Sequence, residues 1–226
     1  MNFTYVDYPA EMALGKRWYH TPHGAFPSIT TVLGGSEPPE KTASLESWRM
    51  SLGREKAAAV TQKASDHGTM VHLLIERHLA GEDPFAFVNG QKIHDPDKAA
   101  FNALKLKLKL INEVWGQEKS VYSPTLEVAG RLDCVGEYKH VPSIIDFKTS
   151  MNKVKSKTDI ADYELQLLMY ATSHNELFGT DIKQGVILMV AQTGFPLEFI
   201  VEFNSLLMEK LKDRINTFYE NILKQV

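Results

Sequence analysis

The chain has 226 residues, 43% of them hydrophobic and 23% charged, with a net charge of −3, which suits one large folded domain or one domain with an elaboration. No stretch is apolar for long enough to span a bilayer. The start lacks the character of a signal or transit peptide, and the single cysteine, Cys134, excludes an intrachain disulfide and any four-cysteine metal or iron–sulfur site; a cytoplasmic setting is expected.

Residues 1–43 read as an irregular segment, punctuated by Pro22, Gly24, Pro27, Gly34-Gly35 and Pro38-Pro39. Within it, 28–33 is a short apolar run of no decisive period. From Leu45 the pattern is helical, with Leu45, Trp48 and Leu52 at spacings of three and four, and Ala57-Ala58-Ala59 continues or restarts it. Trp48 is expected in a core. His67-Gly68 reads as a break, with Thr69 as the N-cap of a second helix whose stripe is Val71, Leu74, Ile75 and His78. His72 and Glu76 share the flank of that stripe. A further helix is expected over 97–115, with Trp115 on its apolar side.

The period then changes to two. Strands are expected over 120–126, 129–138 and 143–149, with turns at Pro124 and Val141-Pro142. A helix over 159–178 follows, then strands over 184–191 and 197–203 around Thr193-Gly194. The last helix, 205–224, is amphipathic through Leu207, Leu211, Ile215, Phe218 and Ile222. This order predicts an α/β fold, a mixed β-sheet core flanked by helices. One domain is expected over 1–226, its irregular and helical elaboration at 1–115 and its α/β core at 116–226.

Asp146 and Lys148 lie two apart in a strand and so share one face, while Ile145 and Phe147 take the other. Asp133 lies on the preceding strand, and a hairpin would bring it beside Asp146. Two carboxylates can hold a hard divalent cation next to a lysine that handles protons or charge, which is equipment for phosphodiester hydrolysis. An Asp-x-Lys triplet alone is weak, and its bland reading is a polar strand face with a surface ion pair. Three accompaniments strengthen it: Asp133 on the preceding strand, Glu118 before the first core strand, and the helix face of Gln166 and Tyr170 at i and i+4, which Tyr163 extends. Cys134, next to Asp133, reads as a small buried hydrophobe. Two basic runs stand against the acidic net charge. Lys105, Lys107 and Lys109 suit a solvated face as well as a ligand. Lys153, Lys155 and Lys157, directly after the Asp-Phe-Lys strand, favour phosphate contacts. Trp18 and Tyr19, beside Lys16 and Arg17, are candidates for stacking bases.

Gly130-x-x-Asp133, Asp146-x-Lys148 and Gln166-x-x-x-Tyr170, preceded by Gly68-Thr69-Met70-Val71-His72, stand in the order found in the RecB-type branch of the PD-(D/E)xK nuclease superfamily, which the chain resembles. The segment 19–33, followed by Trp48-Arg49, is similar to phage exonucleases related to the mitochondrial genome-maintenance exonuclease. The resemblance implies a restriction-endonuclease-like core and a metal-dependent DNA exonuclease in replication, repair or recombination. It implies single-stranded or flapped DNA ends as substrate and a bacterial or phage-infected cytoplasm as setting. It implies Mg²⁺ or Mn²⁺, no Fe–S cluster, and metal ligation by His72, Asp133, Asp146 and the Phe147 carbonyl. Asp133, Asp146 and Lys148 would be catalytic, with Glu118 as a ligand or a brace of ligands. Tyr163, Gln166, Tyr170, Lys153, Lys155 and Lys157 would brace the site or hold nucleic acid. Two other readings stay open: a structure-specific endonuclease, and a non-catalytic DNA- or partner-binding module on a nuclease fold.

Overall fold

A five-stranded mixed sheet carries the molecule, with helices on both of its faces. The computed structural model describes residues 3–13, 15–86, 92–150, 157–191 and 194–224. The N-terminal part forms β1 (Ala10–Ala13), β2 (Lys16–Thr21), β3 (Gly24–Pro27), α1 (Ile29–Gly35), α2 (Pro39–Leu52), α3 (Arg54–Leu79) and α4 (Asp95–Leu108). The core follows as β4 (Ile111–Ser123), β5 (Val128–Tyr138), β6 (Val141–Ser150), α5 (Ala161–Phe178), β7 (Gln184–Ala191), β8 (Pro196–Glu202) and α6 (Ser205–Leu223).

The main sheet has the order β4-β5-β6-β7-β8. Only β6 and β7 run parallel; the other neighbours are antiparallel. A parallel pair needs a crossover, and α5 supplies it. Strand alternation sends one set of side chains to each face. Val135, Ile144, Ile187 and Met189 pack with α1, α5 and α6. Cys134, Ile145, Phe147, Val186 and Leu188 pack with Val71, Leu74 and Ile75 of α3 and Phe101 and Leu104 of α4. Each fully buried aliphatic or Phe side chain contributes ~1.5–3 kcal/mol, so both interfaces hold the sheet between two helical layers.

The fold class agrees with expectation, and several boundaries do not. The segment 1–43 contains a second sheet, β1-β2-β3, whose Tyr19 and Phe26 pack on Tyr122 and Ala129 of the main sheet. Tyr19 is therefore core rather than a stacking platform. The run 28–33 is mostly helix, capped by Ser28, whose side chain accepts from the Thr31 N–H. His67-Gly68 breaks nothing: α3 is continuous, and a Cβ at Gly68 would lie 3.4 Å from Thr149 Oγ1, so the glycine sits where α3 passes close to β6. The helix expected over 97–115 ends at Leu108, and Trp115 is buried in β4 instead. Val141-Pro142 opens β6, and the turn before it is Lys139-His140, both at positive φ. Trp48 is 37% exposed on a helix that buries none of its residues, against its expected place in a core.

Candidate active site

The site forms where two strands stop pairing. The β5–β6 ladder runs from Tyr138↔Val141 to Cys134↔Ile145; the next step would pair Asp133 with Asp146. Side chains take over the backbone there. The Phe147 N–H donates to Asp133 Oδ2 at 2.8 Å, and the Phe147 carbonyl accepts from His72 Nε2 at 2.8 Å. Both peptide groups are thus satisfied without a ladder, and the strands open around two carboxylates. On the other side of β5, Glu118 falls opposite Asp133, between the pairs Gln117↔Cys134 and Lys119↔Leu132. Its φ is 50°, a left-handed conformation that costs of order 1 kcal/mol in a non-glycine residue and is concentrated at functional sites.

His72, Glu118 and Asp133 offer ligand atoms that all lie within 4.8 Å of one another. A carbonyl oxygen can only accept, so His72 Nε2 carries a proton. Its Nδ1 faces Asp133 Oδ2 at 3.7 Å, and a cation set between the two would be shared by both. Two carboxylates and an imidazole therefore fit a divalent ion of the oxygen-preferring kind. The Phe147 carbonyl, an implied ligand, is engaged by His72 in this state.

Asp146 lies outside that three-residue group, paired with Lys148. Lys148 Nζ donates to Asp146 Oδ1 at 2.8 Å and lies 2.6 Å from Oδ2. Oδ2 is buried and has no partner of hydrogen-bonding geometry, so it holds unused acceptor capacity beside the cluster. Burial raises the Asp146 pKa, Lys148 opposes the rise, and Asp133 adds to it. For Lys148, burial works against the charge, but Asp146 and Asp133 outweigh it and hold the amine above its usual pKa. Lys148 is an ammonium at neutral pH. Burial, then Asp133, raises Glu118. Carboxylates crowded into one opening are what a cation relieves.

Helix α5 closes the site from the opposite layer. Lys148 Nζ lies 5.1 Å from the centre of the Tyr163 ring, a cation–π contact. Gln166 Nε2 donates to the Tyr170 hydroxyl at 3.1 Å, and both residues are buried. A Cβ at Gly130 would come 2.7 Å from Tyr170 Cε1. The glycine of Gly130-x-x-Asp133 therefore makes room for the tyrosine of Gln166-x-x-x-Tyr170, and these two motifs are one packing contact. Lys153 and Lys155 lie outside the described residues, and Lys157 is described only as the start of the short turn before α5.

Two features escaped the sequence reading. Arg131 Nε lies 3.0 Å from Glu118 Oε2, a partnership across β4 and β5 that no local spacing announces. His67 Nδ1 and Asp97 Oδ1 are 2.6 Å apart and join α3 to α4, thirty positions apart in sequence. They border a cavity of about 980 Å³ that also touches Lys63, Lys92 and Ser150, a turn and a half along α3 from His72.

No family model matches the chain. Among proteins of known identity, it is similar to mitochondrial genome maintenance exonuclease 1 of Xenopus tropicalis, 28% identical over 200 residues, covering 85% of this chain and 56% of that protein. The Mus musculus protein of the same name is 28% identical over 178 residues, covering 76% of this chain and 52% of that one. The chain thus spans about half the length of the relatives it matches. Among solved structures, a phage-related exonuclease from Haemophilus somnus 129PT superposes with a TM-score of 0.35 at 16% identity, covering 70% of this chain and 82% of that one.

Proposed function

We propose that this chain, a PD-(D/E)xK-like nuclease, is a metal-dependent deoxyribonuclease that removes nucleotides from single-stranded or flapped DNA ends. One observation carries the reading: His72, Glu118 and Asp133 converge where the β5–β6 ladder opens, with the Asp146–Lys148 pair beside them. The relatives named above are exonucleases, which supports the choice of reaction and of an end-directed substrate. His72, Glu118 and Asp133 would hold Mg²⁺ or Mn²⁺, with Asp146 Oδ2 beside them. Such an ion supplies Lewis acidity at the scissile phosphate and a bound water of lowered pKa.

The remaining chemistry belongs to the side chains. Lys148, whose amine Asp146 and Asp133 hold above its usual pKa, is assigned the role of a charge-stabilising donor. It lies beside the carboxylates, placed to offset the negative charge that builds on the phosphoryl oxygens in the transition state. The Tyr163 ring and Asp146 fix its position. Gln166 and Tyr170 keep α5 seated on β5, so that Tyr163 stays over Lys148.

The test is digestion of 5′- and 3′-labelled single and double strands with Mg²⁺, Mn²⁺ or EDTA, by wild type and Asp133→Asn. The expected result is shortening of single strands that needs the metal and is lost in the variant. Binding without cleavage under every metal condition would make the chain a non-catalytic DNA-binding module.

A further inference from the structure

We propose that Arg131 is a phosphate-binding residue that Glu118 holds in reserve and that metal binding releases. This rests on the metal-dependent reading given above.

Arg131 and Asp133 are two apart on β5. The Arg131 guanidinium is 3.0 Å from Glu118 Oε2, with side chains 52% and 27% exposed respectively. Glu118 is also one of the three groups whose ligand atoms lie within 4.8 Å of one another. Its carboxylate therefore has two claimants. A divalent ion beside His72 and Asp133 carries twice the charge of a guanidinium and attracts Glu118 more strongly, while repelling Arg131. Glu118 turns toward the ion, and Arg131, already half in solvent, loses its partner.

The released guanidinium stands where the substrate backbone has to pass. A phosphodiester that reaches the cluster brings its neighbouring phosphates along β4 and β5, and a planar fork of N–H donors matches a phosphate's oxygens. The Glu118 carboxylate touches Arg131 and belongs to the cluster, so it stands between the two. Without metal the arginine is neutralised and grips DNA weakly; with metal it is free. The device makes DNA binding conditional on a loaded site, and no covalent step is involved.

Two measurements test it, and neither reads cleavage. The first is calorimetric titration of Mn²⁺ into wild type and Arg131→Ala. The second is anisotropy of a labelled single-stranded oligonucleotide with hydrolysis-resistant phosphorothioate linkages, across a salt series, with and without Mn²⁺. In wild type, Mn²⁺ should steepen the log–log salt dependence by about 0.7 more than it does in Arg131→Ala, the contribution of one neutralised phosphate on a single strand. Arg131→Ala should bind Mn²⁺ as tightly as wild type or a few-fold more tightly, since Glu118 no longer has to leave a partner. Equal steepening in the two proteins overturns the inference. So does a tenfold loss of Mn²⁺ affinity in Arg131→Ala, which would make Arg131 a residue that positions Glu118. No Mn²⁺ binding by wild type overturns the metal-dependent function itself, and the first titration reads that outcome separately.

Discussion

Asp146 and Lys148 are each other's counter-charge and, on the proposed reading, parts of the catalytic apparatus, so a single substitution confuses folding with chemistry. Asp146→Asn leaves the Lys148 ammonium without its partner, 2.6 Å from where a charge stood. Breaking a buried pair from one side costs ~3–5 kcal/mol, whereas replacing both members with neutral groups of similar volume is often harmless. Asp146→Asn should therefore lower the melting temperature and abolish metal-dependent cleavage. Adding Lys148→Met should restore the melting temperature without restoring cleavage. Lys148→Met alone should lower kcat by about a hundredfold, the range seen when one preorganised donor to transition-state charge is removed, with KM for DNA nearly unchanged. A double variant that regains both stability and activity would place the chemistry elsewhere; a Lys148→Met effect confined to KM would make the lysine a phosphate contact. The sequence made this pair legible because a period-two strand fixes which residues share a face. It did not make Arg131–Glu118 legible, because that contact depends on the β4–β5 register.

At the scale of elements, the boundaries that local pattern determines are legible in the sequence, and those that distant partners determine are not. β7 is bounded as its apolar run suggests, and α6 nearly so. The start of β4 reads as helix in the sequence because Ile111–Trp115 shows no local sign of its partner, the strand up to Tyr138; pairing overrides propensity there. Gly68 reads as a breaker because glycine costs a helix interior ~1 kcal/mol, yet Val71, Leu74 and Ile75, all buried, keep α3 intact. Gly130 gives a test of how elements meet. Gly130→Ala would drive a methyl to 2.7 Å from the Tyr170 ring, and Tyr170 is buried and hydrogen-bonded to Gln166. Overpacking of this kind costs ~1–3 kcal/mol, and displacement of α5 should reduce activity beyond the loss of stability. An unchanged melting temperature would disprove the contact. The N-terminal segment gives a second test. Tyr5 and Phe3 pack against His174 of α5. Thr180 gives its hydroxyl proton to Asn175 Oδ1 and so accepts from His174 Nδ1, leaving Nε2 to accept from Tyr5. The imidazole is thus neutral, and burial lowers its pKa to about 4. The unfolded chain binds this proton near pH 6.5, so between pH 6.5 and 4 the unfolded state holds more protons and stability falls as pH falls. Urea midpoints measured from pH 7 to 4.5 should decline less steeply in His174→Gln than in wild type. An equal decline would remove His174 as the source.

At the scale of the whole molecule, a net charge of −3 gives no general field that would gather DNA, so on the proposed function substrate would be admitted by local surface and by shape. Helix α2 buries none of its residues, and Lys41 near its start is ion-paired to Asp162 in the first turn of α5. The first turns of α3 likewise bury little besides Ala57. Farther along, α3 delivers His72 to the candidate site. On the proposed function, α2 and the start of α3, which bury little, would line an approach to the site that a single strand threads more readily than a duplex. An enzyme fed by threading needs a free end; one that closes around its substrate from the side does not. A covalently closed single-stranded circle separates the two. It should resist the enzyme with Mg²⁺ or Mn²⁺ under conditions that degrade the same circle once it has been nicked, with initial rates differing by about a hundredfold or more, beyond what one lost contact gives at ~1.4 kcal/mol per factor of ten. Equal rates on the closed and nicked circles would refute threading and make the protein an endonuclease, with the helical approach reduced to a binding surface. A blocked 5′ or 3′ terminus on a linear strand then fixes the direction of entry, because only the blocked end that matters for entry will slow the reaction.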